Sequence, residues 1–215
     1  MKLQTKAVLL CSMLAVSLLS GCGDTATRSS TAAIQTETIT PQQIVADSET
    51  DSLAGQESIF NEDVFRQICS DIHIKDADIS LPANLDDLGE HFSVKYFMAD
   101  KKNALLTYEL KYDDVYVGFI FFDGTEELDE KHLHSNLFYS MSVEAKYEGN
   151  ISVGGITMND PIEKVYASFG KPEAPGFDTD SGGSGRCQYG IQDRQYVSYV
   201  YHDGLISSVV IDAHN

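Results

Sequence analysis

Basic residues are scarce in this chain. Fifteen lysines and arginines stand against 33 aspartates and glutamates, a formal charge of −18. Such a surface repels phosphate backbones and anionic headgroups, so nucleic acid and acidic lipid are poor partners. Cationic proteins, peptides or divalent ions are the partners it attracts, although solubility beside an anionic envelope explains the same charge. Cysteines are few as well: Cys11, Cys22, Cys69 and Cys187, with no close pair. That spacing excludes a zinc site of the clustered-cysteine kind. Long apolar runs are missing except at residues 7–19. That run falls short of the roughly 20 residues a helix needs to cross a bilayer.

The apolar run follows Lys2 and Lys6 and closes on Leu19-Ser20-Gly21-Cys22. A positive start, an apolar middle and small residues at the end make an export signal. The stretch resembles a bacterial lipoprotein signal. The resemblance implies that residues 1–21 are removed, that Cys22 is lipidated, and that the protein sits on the extracytoplasmic face of a bacterial cell membrane. The alternative is an ordinary secretory signal cleaved nearby, with Cys22 incidental. Removal of Lys2 and Lys6 without any acid takes the charge from −18 to −20. Cys69 and Cys187 then remain as the two unmodified thiols. They could pair in an oxidising compartment or be buried as small apolar side chains.

Residues 22–56 are rich in Thr, Ser, Ala, Gln and acids and nearly free of aromatics. Such a stretch buries too little apolar surface to offset its ordering entropy and is expected to be a disordered tether with a reach of roughly 30 Å. The folded part is expected from residue 57 onward. Asn61 can cap a first helix with Val64, Phe65, Ile68 and Cys69 on one face.

Beyond that helix the sequence repeats. Ile79, Leu81, Leu85, Leu88 and Phe92 match Ile156, Met158, Ile162, Val165 and Phe169 at an offset of 77 residues, and Tyr116–Gly124 matches Tyr196–Gly204 at an offset of 80. Two such blocks in one order point to a duplication. Ser140–Ala145 also resembles Ser208–Ala213, and the first copy then carries an insertion around Glu126–Asn136. The first unit is expected over 57–148, including the leading helix, and the second over 149–215. In the second, Asp160 is placed to cap a helix, Pro161 suits its first position, Glu163 completes a capping box, and Gly170 with Pro172 stops it. Asn84 takes the capping place in the first. After each helix the apolar period changes to two. Asp123-Gly124 and Asp203-Gly204 fit tight hairpin turns. The expected fold is α+β: one antiparallel sheet with helices packed on one face, in two tandem helix-plus-strands repeats.

Ile156-Thr157-Met158-Asn159-Asp160-Pro161, Val165, Phe169-Gly170-Lys171-Pro172 and Tyr201-His202-Asp203-Gly204-Leu205-Ile206 resemble the small SmpA/OmlA (BamE-like) lipoprotein domain. A tandem of two units is also similar to β-lactamase inhibitory proteins. The resemblance implies a non-catalytic binding or scaffolding module at a bacterial envelope. It does not extend to an outer-membrane assembly role, because this chain has two units, a long tether and heavy negative charge.

No residue cluster names a reaction, and no enzyme, cofactor or metal is expected. Asp178-Thr179-Asp180-Ser181-Gly182-Gly183 hints at a calcium loop, but its fifth position is Gly182 and its twelfth is Tyr189 instead of a bidentate acid. His132 and His134 would point the same way on a strand and could begin a zinc or copper site, with Asp129 and Glu130 nearby. Gly182-Gly183-Ser184-Gly185-Arg186 has the look of a nucleophile turn without the required second glycine. Val153-Gly154-Gly155 is too short to cradle phosphate. Tyrosine is more suggestive. Tyr108, Tyr112, Tyr116, Tyr189, Tyr196, Tyr199 and Tyr201 all fall on expected strands, and alternation turns about half of them away from any helix layer. They could line a sheet face that holds an envelope or extracellular protein or peptide of cationic character, or simply pair with one another across strands. The expected function is therefore a membrane-anchored protein- or peptide-binding module. The alternative is a small-molecule or metal sensor built on the Asp178–Asp180 loop or on His132 and His134. Replacing Cys22 by alanine is expected to abolish fatty-acid labelling and to free the chain from the membrane fraction. A C22A chain that stays labelled and sedimenting would overturn the anchor.

Overall fold

The structure, a computed structural model, describes residues 58–146, 150–174 and 176–214. The export segment, Cys22 and the expected tether lie outside the described residues. Asn61 opens the first element as its side chain suggests, its Oδ1 accepting the Val64 N–H at 3.0 Å. Helix α1 (Glu62–Ser70) carries Glu62 and Asp63 in its first turn, where the dipole favours acids, and buries Phe65, Ile68 and Cys69. There follow β1 (Ile72–Ile74), β2 (Ala77–Ile79), a 3-10 turn at Leu85–Leu88, β3 (Phe92–Asp100), β4 (Leu105–Tyr112), β5 (Val115–Asp123), α2 (Glu130–Ser135) and β6 (Ser140–Glu144). The second half gives β7 (Ile151–Val153), β8 (Ile156–Thr157), α3 (Ile162–Phe169), β9 (Phe177–Asp180), β10 (Gly185–Gln192), β11 (Gln195–His202) and β12 (Leu205–Ala213).

The described chain is mostly β, which overturns the α+β expectation. Twelve strands form two antiparallel sheets, β2-β1-β7-β8 and β3-β4-β5-β6-β12-β11-β10-β9, and the three helices are short. Each half contributes one small hairpin to the first sheet and four strands to the second. Two local effects explain why helix-plus-strands units do not form. Asn84 does cap, exchanging side-chain and backbone bonds with Asp87, but Gly89 at φ +88° ends the helix after one turn and Phe92 enters β3. Ile72, Ile74, Ile151 and Val153 do not sit under helices but pair with one another, Ile72 opposite Val153 and Ile74 opposite Ile151. The layer against the large sheet thus includes a second sheet, which Tyr199 reaches through its bond to Val153, together with α3, whose Phe169 packs on Tyr189 and Tyr199.

Other expectations shift in detail. Asp160 does not cap α3. Pro161 takes the N-cap position without a side-chain bond, while Asp160 Oδ2 accepts the Thr157 N–H at 2.7 Å and pairs with Lys164 at 2.6 Å. Gly170 ends α3 with φ +75°. Asp203 and Gly204, at φ +51° and +76°, make the β11–β12 hairpin turn. Asp123-Gly124 makes no such hairpin: β5 reaches β6 only through a connection that contains α2.

One core joins both halves. On β4, Leu106, Tyr108, Leu110 and Tyr112 alternate inward, and across the sheet Ile120, Met141, Val143, Val209, Ile211 and Val197 continue the same face. Each such side chain gains about 1.5–3 kcal/mol by leaving water. Buried tyrosines must also satisfy a hydroxyl, and here they do. Tyr189 donates to the Gly170 carbonyl at 2.5 Å, Tyr199 to that of Val153 at 3.4 Å, and Tyr108 accepts the Leu128 N–H at 2.9 Å. Cys69 and Cys187 are buried free thiols, pushed up to about 11 and about 12 by that burial.

Backbones approach closely at Gly118, which lies opposite both Leu110 and Val143. A Cβ there would stand 1.9 Å from the Ser142 carbonyl oxygen. Gly118→Ala is therefore expected to destabilise the fold by about 3 kcal/mol in urea unfolding, since the obstacle is backbone and cannot rotate away. An unchanged midpoint would contradict this packing.

Candidate functional site

Strand alternation gives the large sheet two faces, and among the described residues the small sheet and helices pack on one of them. The other is read from the register. One row runs Lys95, Glu109, Phe119, Ser142, Val210, Ser198, Gln188, Phe177, a residue from every strand. The next runs Met98, Thr107, Phe121, Ser140, Asp212, Tyr196. At about 4.8 Å per strand the face is roughly 34 Å across.

Two irregularities concentrate aromatic rings at one end of it. A bulge in β5 inserts Val117 between the pairs Leu110–Gly118 and Lys111–Tyr116. Val117 turns into the core, fully buried, and Tyr116 joins Phe119 and Phe121 on the open face. A second bulge, at Phe97 in β3, leaves Phe97 and Met98 53% and 47% exposed. Phe97 and Tyr116 each meet the Phe119 ring, with centroids 5.3 and 5.4 Å apart, and Phe121 follows at 6.4 Å. Tyr116 donates to Glu144 at 2.8 Å, and burial together with that carboxylate holds its hydroxyl well above the usual range. Beside this aromatic ridge lies a strip of small side chains, Ser140, Ser142, Ser198, Ser208 and Val210, of which the first three are buried. Ser198 Oγ is the one buried side-chain polar atom without a partner among the described residues.

Of the seven tyrosines expected to form a binding face, the structure brings two there, Tyr116 and Tyr196. Tyr108, Tyr112, Tyr189, Tyr199 and Tyr201 line the core. The sequence reading missed Phe97, Met98, Phe119 and Phe121. The last two sit on an apolar strand whose bulge no sequence period announces, and Phe97-Met98 breaks the alternation of β3, which was the available signal.

The other candidates are dispersed. His132 and His134 lie on α2, not on a strand, and turn to different carboxylates, Asp129 at 2.7 Å and Asp86 at 2.6 Å. Asp178 and Asp180 belong to strand β9. Asp178 accepts from Tyr166, and Asp180 accepts the Gly183 N–H at 2.9 Å. No group of three metal-type ligands occurs among the described residues. Ser184 Oγ does lie 2.7 Å from His202 Nδ1, with Asp203 3.5 Å from the other ring nitrogen. Both the imidazole and the acid are largely exposed, and Ser184 also accepts the Asp203 N–H at 3.4 Å. This is a turn brace, without the enclosure that nucleophilic catalysis requires. No helix among the described residues is long and apolar enough to cross a membrane.

Histidine–aspartate pairs recur over the surface. His73 bridges Asp78 and Asp71, both at 2.6 Å, and those bonds, Asp78 first, raise its pKa above the ordinary value. Asp113 does the same for His91 at 2.8 Å, and the His91 bond, aided by Lys75, holds Asp113 below the usual carboxylate range. The signs follow from linkage. A raised imidazole stabilises the fold fully below about pH 6.5, and that contribution is lost as pH rises through its folded value. A depressed carboxylate stabilises above about pH 4 and is lost as pH falls. The melting temperature is therefore expected to be higher at about pH 6 than at about pH 8.5, and His73→Gln should shrink that difference. Thermal melts across pH would show it; equal values at both ends would refute the pairing.

Comparison with protein-family models, with curated proteins and with solved structures finds no match to this chain, so its reading rests on sequence and geometry.

Proposed function

We propose that this protein is a lipid-anchored, extracytoplasmic binding module that holds another protein or peptide on the open face of its eight-stranded sheet, without catalysis. The observation that carries the reading is the ridge of Phe97, Phe119, Phe121 and Tyr116 beside a strip of serines. Large aromatic side chains at a surface cost apolar exposure when idle and give concentrated contact energy when covered. A formal charge of −18, or −20 once Lys2 and Lys6 are removed with the signal, favours a cationic partner and speeds encounter with it at low salt. The lipoprotein-like ending at Cys22 and the BamE-like resemblance of residues 156–206 support a place at the bacterial cell envelope. The matching sequence blocks, with two and then four strands contributed by each half, support an origin by duplication.

Capture from envelope extract by the full chain tests the reading. A bound protein is expected at low salt, less of it at high salt, and at least about tenfold less on a Phe97→Ser/Phe119→Ser chain of unchanged melting temperature. Equal recovery by both chains, or none at any ionic strength, would overturn it.

A further inference from the structure

A second surface, independent of the open face, lies along the outer edge of β3. The Leu85–Leu88 turn and α2 stand against this edge and leave an open cleft of about 530 Å³. Its floor is apolar, made by Leu85, Phe92, Val94 and Leu133. Its rim is acidic, with Asp86, Glu90 and Glu130, and the His134–Asp86 contact at 2.6 Å ties the two walls together. Glu90 and Glu130 have no hydrogen-bond or ion-pair partner among the described residues, so both are available to a ligand. β3 pairs only with β4 and ends the large sheet, so its outer backbone row has no strand partner among the described residues. The bulge at Phe97 breaks the strand, which leaves a straight run from Phe92 to Tyr96 beside the cleft.

We propose that this cleft docks an extended peptide segment rich in lysine or arginine, which adds as a strand to β3. Three properties select that occupant. A free sheet edge offers main-chain hydrogen bonds to any extended chain. The alternation of an added strand would set one side chain in two onto the apolar floor and the other toward the rim. The carboxylates of Glu90 and Glu130, inside a strongly anionic protein, then choose cationic side chains at the rim positions and repel acidic ones.

The probe is a fluorescent acetyl-(Lys-Val)4-amide titrated into the full chain in detergent, read by anisotropy and by amide hydrogen exchange. Binding is expected at low salt and at least tenfold weaker binding at high salt, with exchange slowed at residues 93–95. Glu90→Gln/Glu130→Gln should weaken it at least tenfold at unchanged melting temperature, and (Glu-Val)4 should not bind. Phe97→Ser/Phe119→Ser should leave this binding intact, which separates failure here from failure of the open-face reading. The proposal falls if the peptide does not bind, if Glu90→Gln/Glu130→Gln binds as well as the parent, or if binding leaves exchange at β3 unchanged. It falls equally if the peptide instead protects the open face, or if slowed exchange at β3 comes with self-association of the chain and no peptide.

Discussion

The pairing of β6 with β12 is the contact on which the molecule depends. Five residues of β6, Ser140–Glu144, lie between β5 and β12 and join the strands of one half to those of the other. Met141 and Val143 face the core with Ile211 and Val209 opposite them, all essentially without exposure. Ser140 and Ser142 face the other way, where Ser140 Oγ donates to the Ile211 carbonyl at 2.9 Å. If this seam opens, two four-stranded sheets remain, each with a freshly exposed edge, and the β1–β7 pairing beneath is only three residues long. The seam and the small sheet therefore hold together as one cooperative unit.

Legibility varied with how local the cause was. The Asn61 cap, the α1 face and the Asp203-Gly204 hairpin were readable because each depends on a few adjacent residues. The small sheet was not. Ile72-His73-Ile74 and Ile151-Ser152-Val153 are too short to assert strands alone, and their stability comes from pairing with each other across 79 residues of sequence. Gly154-Gly155, read in the sequence as a failed phosphate loop, is the turn of the β7–β8 hairpin, with φ of +60° and +75°. The one-turn helix after Asn84 shows the opposite fault: the expected cap is there, but Gly89 cuts the helix short.

The binding face was half legible for the same reason. Alternation correctly implied that the tyrosines divide between two faces, but it could not say which. Tyr108 and Tyr112 of β4, Tyr189 of β10 and Tyr199 and Tyr201 of β11 went inward, where the hydroxyls of Tyr108, Tyr189 and Tyr199 find backbone partners, while Tyr196 of β11 went outward. Phe119 and Phe121 of β5 then took the outside, while Phe122 stayed in the core. One extra residue, Val117, reversed the inside–outside order of that strand. An insertion of this kind leaves no trace in composition and only a weak one in hydropathy.

Every one of the six histidines in the chain lies within 3.5 Å of an aspartate carboxylate. Five of these histidines have exposed side chains, on β1, α2, the turn before β3 and the end of β11, and the His214 pair is the most enclosed. This layout makes the strength of the protein's electric field a property of its surroundings. With His73 and His91 charged, the form their aspartates favour, the formal charge falls from −18 to −16, and the long-range pull on positive molecules falls with it. Mild acid near a cell would therefore dim that attraction.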